Sequence, residues 1–238
     1  MDLINILKEM VNRKASDVIL KAGSSVCMRI NGELFKDGPI LDEHDLEALV
    51  GDVVTRGQKH MYKDQRENVV CFGVKDFGRF RATIFQQRGT PVIVVRAINT
   101  QILTFEELNL PAKILESLCN EKRGLILVTG TTGSGKSTTV ASMIEYINKN
   151  MSKHIVTLED PIEYLFQDKR SIISQREIRI DTESFHKALE YSMLQTPDVI
   201  FIGDIRTADV MSIALTAAET GQLVIANLHT ISTSHTIE

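Results

Sequence analysis

With 238 residues, 43% of them hydrophobic and 24% charged, the chain has an ordinary globular composition and enough length for one large domain or two modest ones. A formal charge of −4 supplies no broad cationic surface, so nucleic acid is not an expected partner. No run approaches the roughly 18 apolar residues of a membrane span, and Met1-Asp2-Leu3-Ile4-Asn5 does not open as a signal peptide does, which leaves the cytoplasm as the default.

Taken in order, Leu3, Ile6, Leu7, Met10 and Val11 make an apolar helix stripe. Val26 to Ile30 runs into Asn31-Gly32, a two-residue hairpin signal. Asp42 is placed to cap a helix carrying Leu46, Leu49, Val50 and Val53. Arg79 to Phe85 alternates for most of its length like a half-buried strand, and Pro91 precedes the run Val92 to Val95. Asn99-Thr100-Gln101 reads as the start of a linker. Cys27, Cys71 and Cys119, odd in number and far apart, fit buried reduced thiols better than a disulfide framework or a zinc site.

From Gly124 the pattern changes to strand, helix, strand, helix. Gly124–Val128, His154–Leu158, Val199–Ile202 and Leu223–Ala226 are short apolar runs, with helical stretches near 184–195 and 208–219 between some of them. That alternation predicts a mainly parallel sheet with helices on its faces, an α/β fold. The expected organisation is an α+β domain over 1–98, a linker over 99–112 and an α/β domain over 113–238. Ser234 to Glu238 follow the last run closely and do not read as a finished domain edge, so a C-terminal truncation is expected.

Gly130-Thr131-Thr132-Gly133-Ser134-Gly135-Lys136-Ser137 matches G-x-x-x-x-G-K-[ST], the phosphate-cradling loop of P-loop proteins. A glycine-rich loop can match by accident, but here a strand precedes it, and Val140, Met143, Ile144 and Ile147 mark a helix after it. Glycines let the backbone approach a phosphate and turn N–H groups inward, and the helix N-terminus adds its dipole. Lys136 is expected to reach the β- and γ-phosphates of ATP and Ser137 to hold Mg²⁺, with Thr138 just behind them in the nucleotide site.

Such a loop needs carboxylates at neighbouring strand ends. Glu159-Asp160-Pro161-Ile162-Glu163 follows one apolar run, and Gly203-Asp204-Ile205-Arg206 follows another in the form of a Walker B element. The bland alternative is a solvated turn for the first and a loop acid at a strand end for the second. Glu159, Glu163 and Asp204 are the candidate catalytic acids, with Asp204 also a metal ligand. His229, after the fourth run, is placed to hydrogen-bond a γ-phosphate, although a lone histidine is more often structural. Arg79, Arg81, Arg88 and Arg96 make either a solvated strand face or a source of arginine fingers toward nucleotide on a neighbouring subunit.

Together these pieces resemble the secretion ATPase superfamily, most closely its type IV pilus retraction ATPases (the PilT/PilU type). The resemblance runs from Ala15-Ser16-Asp17 through Gly78-Arg79-Phe80-Arg81, Gln87-Arg88-Gly89 and Arg96. It continues in the Walker A loop, an aspartate box at Thr157 to Tyr164, Gln175-Arg176-Glu177, the Walker B segment from Pro197 to Arg206, and Ala218-Glu219-Thr220-Gly221 with Leu228-His229-Thr230 as a histidine box. It implies a PAS-like N-terminal domain and a RecA-like ATPase domain, assembled as a cytoplasmic ring, usually a hexamer, peripheral to the inner membrane. Nucleotide would sit between the domains and against a neighbouring subunit, and the motion would pass to the pilus platform protein. Glu163 is the implied general base, Asp204 the Walker B carboxylate on Mg²⁺, His229 a group near the γ-phosphate, and Arg81 and Arg96 contacts made in trans.

The chain departs from the family pattern at Asp204, where Glu is usual, and at Gln222, where the histidine box has its first His. Glu190 and Leu194 stand where arginines are usual, and Ile19 stands for a His. These departures motivate an alternative: a hydrolysis-impaired accessory subunit acting beside a partner retraction ATPase. A type II or type IV secretion ATPase, or a DNA-acting RecA-like motor, is the further alternative.

Overall fold

The structure, a computed structural model, describes residues 2–56, 67–75, 77–98 and 101–230. The chain divides into two compact units, Met1–Asn99 and Thr100–Glu238, each with its own core. Asn99 and Thr100 of the expected linker start, and Ser234 to Glu238 of the expected truncated edge, lie outside the described residues.

The first unit opens with α1 (Leu3–Asn12), where the Asp2 carboxylate accepts the Ile4 N–H at 3.1 Å. Leu3, Ile6, Leu7 and Met10 are buried, whereas Val11 lies at the margin of the stripe and is 37% exposed. Then come β1 (Asp17–Lys21), β2 (Ser25–Ile30) and β3 (Glu33–Ile40). Asn31 and Gly32, at φ 51° and 88°, give the β2–β3 turn the positive φ values that match strand twist. α2 (Glu43–Arg56) starts at Asp42, whose Oδ1 accepts the Asp45 N–H at 2.8 Å, and buries Leu46, Leu49, Val50 and Val53.

β4 (Glu67–Val74), β5 (Gly78–Gln87) and β6 (Thr90–Ile98) complete an antiparallel sheet in the order β3-β2-β1-β6-β5-β4. One face, with Val18, Leu20, Phe80, Ala82 and Val95, packs in a core with α1 and α2. On the other face the register lines up Arg29, Asp17, Arg96 and Arg81 across four strands. Asp17 accepts from Arg96 Nε at 2.7 Å and lies 3.8 Å from Arg29 Nε. Arg88 does not join this group: with Gly89 it makes the turn at the far end of the β5–β6 hairpin.

The second unit contains α3 (Ala112–Cys119), β7 (Gly124–Thr129), α4 (Lys136–Asn150), β8 (His154–Glu159), β9 (Ile172–Glu177), α5 (Phe185–Met193), β10 (Val199–Ile202), α6 (Ala208–Thr220) and β11 (Leu223–Leu228). Its sheet runs β7-β11-β10-β8-β9 with every pair parallel. The four apolar runs form four of these strands, whose side chains are taken up on both faces. Ile200 and Ile202 join α5 and α6 on one side, and Val199 and Phe201 join α3 and α4 on the other. β9 has no counterpart among the expected strands. Phe105, in the stretch read from sequence as linker, is 3% exposed and lies in the α4 core. Burial pushes the Cys119 thiol up to about 12, and Cys27, Cys71 and Cys119 form no disulfide among the described residues. No helix among the described residues is long and apolar enough to cross a membrane.

Candidate functional site

Because all five strands are parallel, their C-terminal ends share one edge of the sheet, where ligands of open α/β sheets bind. The segments leaving β7, β11, β10 and β8 therefore stand side by side in that order. They are the glycine loop, Leu228-His229, Gly203-Asp204 and the Glu159–Glu163 segment.

The glycine loop closes on itself. Gly130 adopts φ 151°, and a Cβ there would stand 2.7 Å from Ser134 Oγ, so the loop accepts no larger residue without shifting. Gly135 caps α4 at φ 94°, and the helix begins at Lys136 with the N–H groups of its first turn lacking intrahelical partners. Lys136 is 8% exposed and donates Nζ to Gly130 O at 2.8 Å and Thr131 O at 3.0 Å. The cation thus lies over the loop that a phosphate would fill.

His229 stands between that lysine and Asp204. Its Nδ1 is 3.4 Å from Lys136 Nζ and its Nε2 is 3.5 Å from Asp204 Oδ2. An ammonium only donates, so Nδ1 is the acceptor and the ring proton belongs on Nε2, facing the carboxylate. Arg206 Nε donates to the same Asp204 oxygen at 2.6 Å. Asp204 is 7% exposed, and its other oxygen, Oδ1, is buried without a hydrogen-bond partner among the described residues, as is Asn227 Oδ1. An unpaired buried acceptor costs about 1–3 kcal/mol. Ser137, Asp204 and Asn227 line one cavity of about 300 Å³, and a cation or its water shell would satisfy both orphaned oxygens. These hard oxygen donors fit Mg²⁺, which is held by few protein ligands and keeps several waters.

The acids after β8 divide into two roles. Glu163 is exposed and lines this cavity together with Asp160. Glu159 lies beneath: it is 5% exposed and lines a smaller adjoining cavity of about 40 Å³ that also borders Ser137, Glu163 and Asn227. Its Oε1 accepts from Thr157 Oγ1 at 2.7 Å and Gln175 Nε2 at 3.1 Å, and Oε2 from the Glu163 N–H at 3.4 Å. The main chain at β8 and β10 is tight here, since a Cβ on Gly203 would stand 3.2 Å from Glu159 Cα.

Sequence reasoning passes over the role of Gln175. From β9 it donates to Glu159 and to Tyr164 O at 2.9 Å, and its Oε1 accepts the Phe166 N–H at 3.0 Å. Tyr164 in turn pairs its hydroxyl with Thr138 Oγ1 at 3.0 Å in the first turn of α4. The segment carrying Glu163 is thus fastened on one side to β9 and on the other to the phosphate-loop helix.

Burial pushes the Glu159 carboxyl up to about 7, against the hydrogen bonds that favour its ionised form. Between about pH 4.5 and about 7 the folded protein therefore holds a proton that the unfolded chain has lost, and stability falls as pH rises through that window. Glu159→Gln has no such proton. It is expected to gain on the parent by up to about 3 kcal/mol between about pH 5 and about pH 8, read from urea midpoints. A parent and variant with the same pH response would contradict this.

Thr132, Gly133, Gly135, Lys136, Ser137, Thr138, Glu163, Asp204 and His229 all border the larger cavity, while Gly130 and Thr131 accept from Lys136 and Ser134 packs on Gly130 within the loop, without lining that cavity. Arg81 and Arg96 belong to the first unit, where Arg96 is engaged by Asp17. Two family departures stand away from the site. Gln222 precedes β11, bonded to Gly124 N at the start of β7, and Leu194 ends α5 ahead of β10, so both lie toward the opposite edge of the sheet.

Comparison with known proteins covers the whole chain. The Type II/IV secretion system protein family model matches residues 2–238. The chain is 40% identical over 240 residues to the type IV pilus ATPase PilU of Pseudomonas aeruginosa, spanning 100% of this chain and 62% of that protein. It is 38% identical over 239 residues to the type IV pilus retractation ATPase PilT of the same organism, spanning 100% of this chain and 69% of that protein. A crystal structure of the pilus retraction motor PilT with bound ADP matches at TM-score 0.93 and 46% identity, over 100% of this chain and 69% of that one.

Proposed function

The chain belongs to the Type II/IV secretion system protein family, and on that premise we propose that it binds and hydrolyses ATP as a motor subunit of the pilus-retraction kind. The observation that carries the reading is Lys136, buried and folded over two loop carbonyls at the mouth of a cavity that also borders Glu163, Asp204 and His229. Lys136 exchanges those carbonyls for the β- and γ-phosphates, and the N–H groups of the loop and first helical turn surround them. Ser137 and Asp204 would hold Mg²⁺, which would supply charge neutralisation at the phosphate oxygens. Glu163 takes the proton of the water that attacks the γ-phosphorus as the bond to the ADP oxygen breaks. His229 links the lysine to Asp204, so a change at the γ-phosphate reaches the Walker B strand.

The assembly proposed is a ring, usually a hexamer in the family, on the cytoplasmic side of the inner membrane and peripheral to it. It would act on the pilus platform protein and serve twitching motility. Arg81 and Arg96 are proposed as contacts to nucleotide on a neighbouring subunit; they lie opposite one another in register, and Arg96 is held by Asp17. Phosphate release from ATP that requires Mg²⁺ tests the hydrolytic reading, and binding without release would contradict it.

One observation favours the accessory reading. Asp204, one methylene shorter than the usual glutamate, has Oδ2 taken by Arg206 at 2.6 Å. If the short acid limits turnover, Asp204→Glu raises phosphate release about tenfold or more, the scale of a lengthened catalytic contact. Unaltered turnover would count against impairment at this position.

A further inference from the structure

We propose that Asn227 is a further protein group of the Mg²⁺ site, its side-chain carbonyl accepting from the metal's water shell beside Asp204; this rests on the nucleotide reading above. Asn227 lies one residue beyond the pairing of Ala226 with Ile202 and opposite Val128 of β7, so it comes off the middle of the ligand edge, between the phosphate loop and the Walker B acid. Its backbone is fixed there, because its carbonyl accepts the Ile205 N–H at 3.0 Å. Asn227 is 3% exposed and borders both the larger cavity and the smaller one under Glu163.

A polar residue buried this deeply ordinarily finds partners within the protein. Asn227 Oδ1 finds none among the described residues, and neither does Asp204 Oδ1 in the same cavity. Two unpaired acceptors on residues of one cavity call for a ligand that brings donors. Mg²⁺ bound to a nucleotide keeps several waters, each with protons for such oxygens. A structural asparagine would have its oxygen bonded to the fold.

The experiment compares ADP affinity with Mg²⁺ and with chelator, by calorimetry at about pH 8, together with Mn²⁺ affinity of the ADP complex by electron paramagnetic resonance. Asn227→Leu is expected to lose about tenfold of the metal-dependent gain, as outer-shell partners of metals do, with little change in metal-free ADP affinity. Asn227→Asp is expected to raise the gain, since it adds a charge for the cation and repels bare ADP. A residue that serves folding alone would make both variants worse. An unchanged gain in Asn227→Leu, or a reduced one in Asn227→Asp, overturns the assignment while leaving nucleotide binding intact. A parent that binds no ADP in either buffer overturns the nucleotide reading and this assignment with it.

Discussion

Lys136→Ala is expected to weaken ATP binding by about 10- to 100-fold and to remove turnover, because the lost contacts are charge-assisted and worth roughly 1.5–3 kcal/mol. The loss has two sources. The ammonium no longer meets the phosphates, and the loop no longer has the donor that bridges Gly130 O and Thr131 O when the seat is free. Lys136→Arg is not expected to restore function, since a planar fork does not fit where a point charge 8% exposed is folded between two carbonyls. Calorimetry with ATP checks the affinity and a phosphate assay the turnover. A Lys136→Ala chain that matches the parent in both would remove the assigned site.

Glu163→Gln is expected to separate binding from chemistry. Losing a general base lowers turnover by about 10²- to 10⁴-fold. ATP affinity should stay within about threefold, because this exposed side chain is assigned to the water and not to the phosphates. Its main chain remains anchored, as the Glu163 N–H bonds to Glu159 and the following turn to Gln175. Single-turnover phosphate release beside equilibrium binding reads the two effects apart. Equal losses in both would mean that Glu163 holds nucleotide, and preserved turnover would mean that another group takes the proton.

Much of this arrangement is legible in the residues themselves, for a reason that varies by element. β8, β10 and β11 are buried on both faces and so read as mainly apolar runs, and the glycine loop is contiguous and flanked by the strand and helix it requires. Once the sheet is parallel, Glu163, Asp204 and His229 must gather at one edge. β9 is illegible because it is an edge strand with only Glu177 buried in Ile172–Glu177, which gives no apolar period. With it goes the place of Gln175, whose three hydrogen bonds depend on pairing beside β8. Asn227 is hidden differently: it reads as the tail of an apolar run, and only the register with Val128 puts its side chain among the acids. The departures at Gln222 and Leu194 look relevant to the site in sequence, yet both fall toward the other edge of the sheet.

On the proposed reading, the loop from Gly130 to Ser137 seats the phosphates of an adenine nucleotide. Isothermal calorimetry of the folded chain with ADP and with ATP, at up to millimolar nucleotide, tests it most directly. Saturable binding that Mg²⁺ strengthens and Lys136→Ala weakens is the predicted result. A folded chain that takes up neither nucleotide would contradict the account.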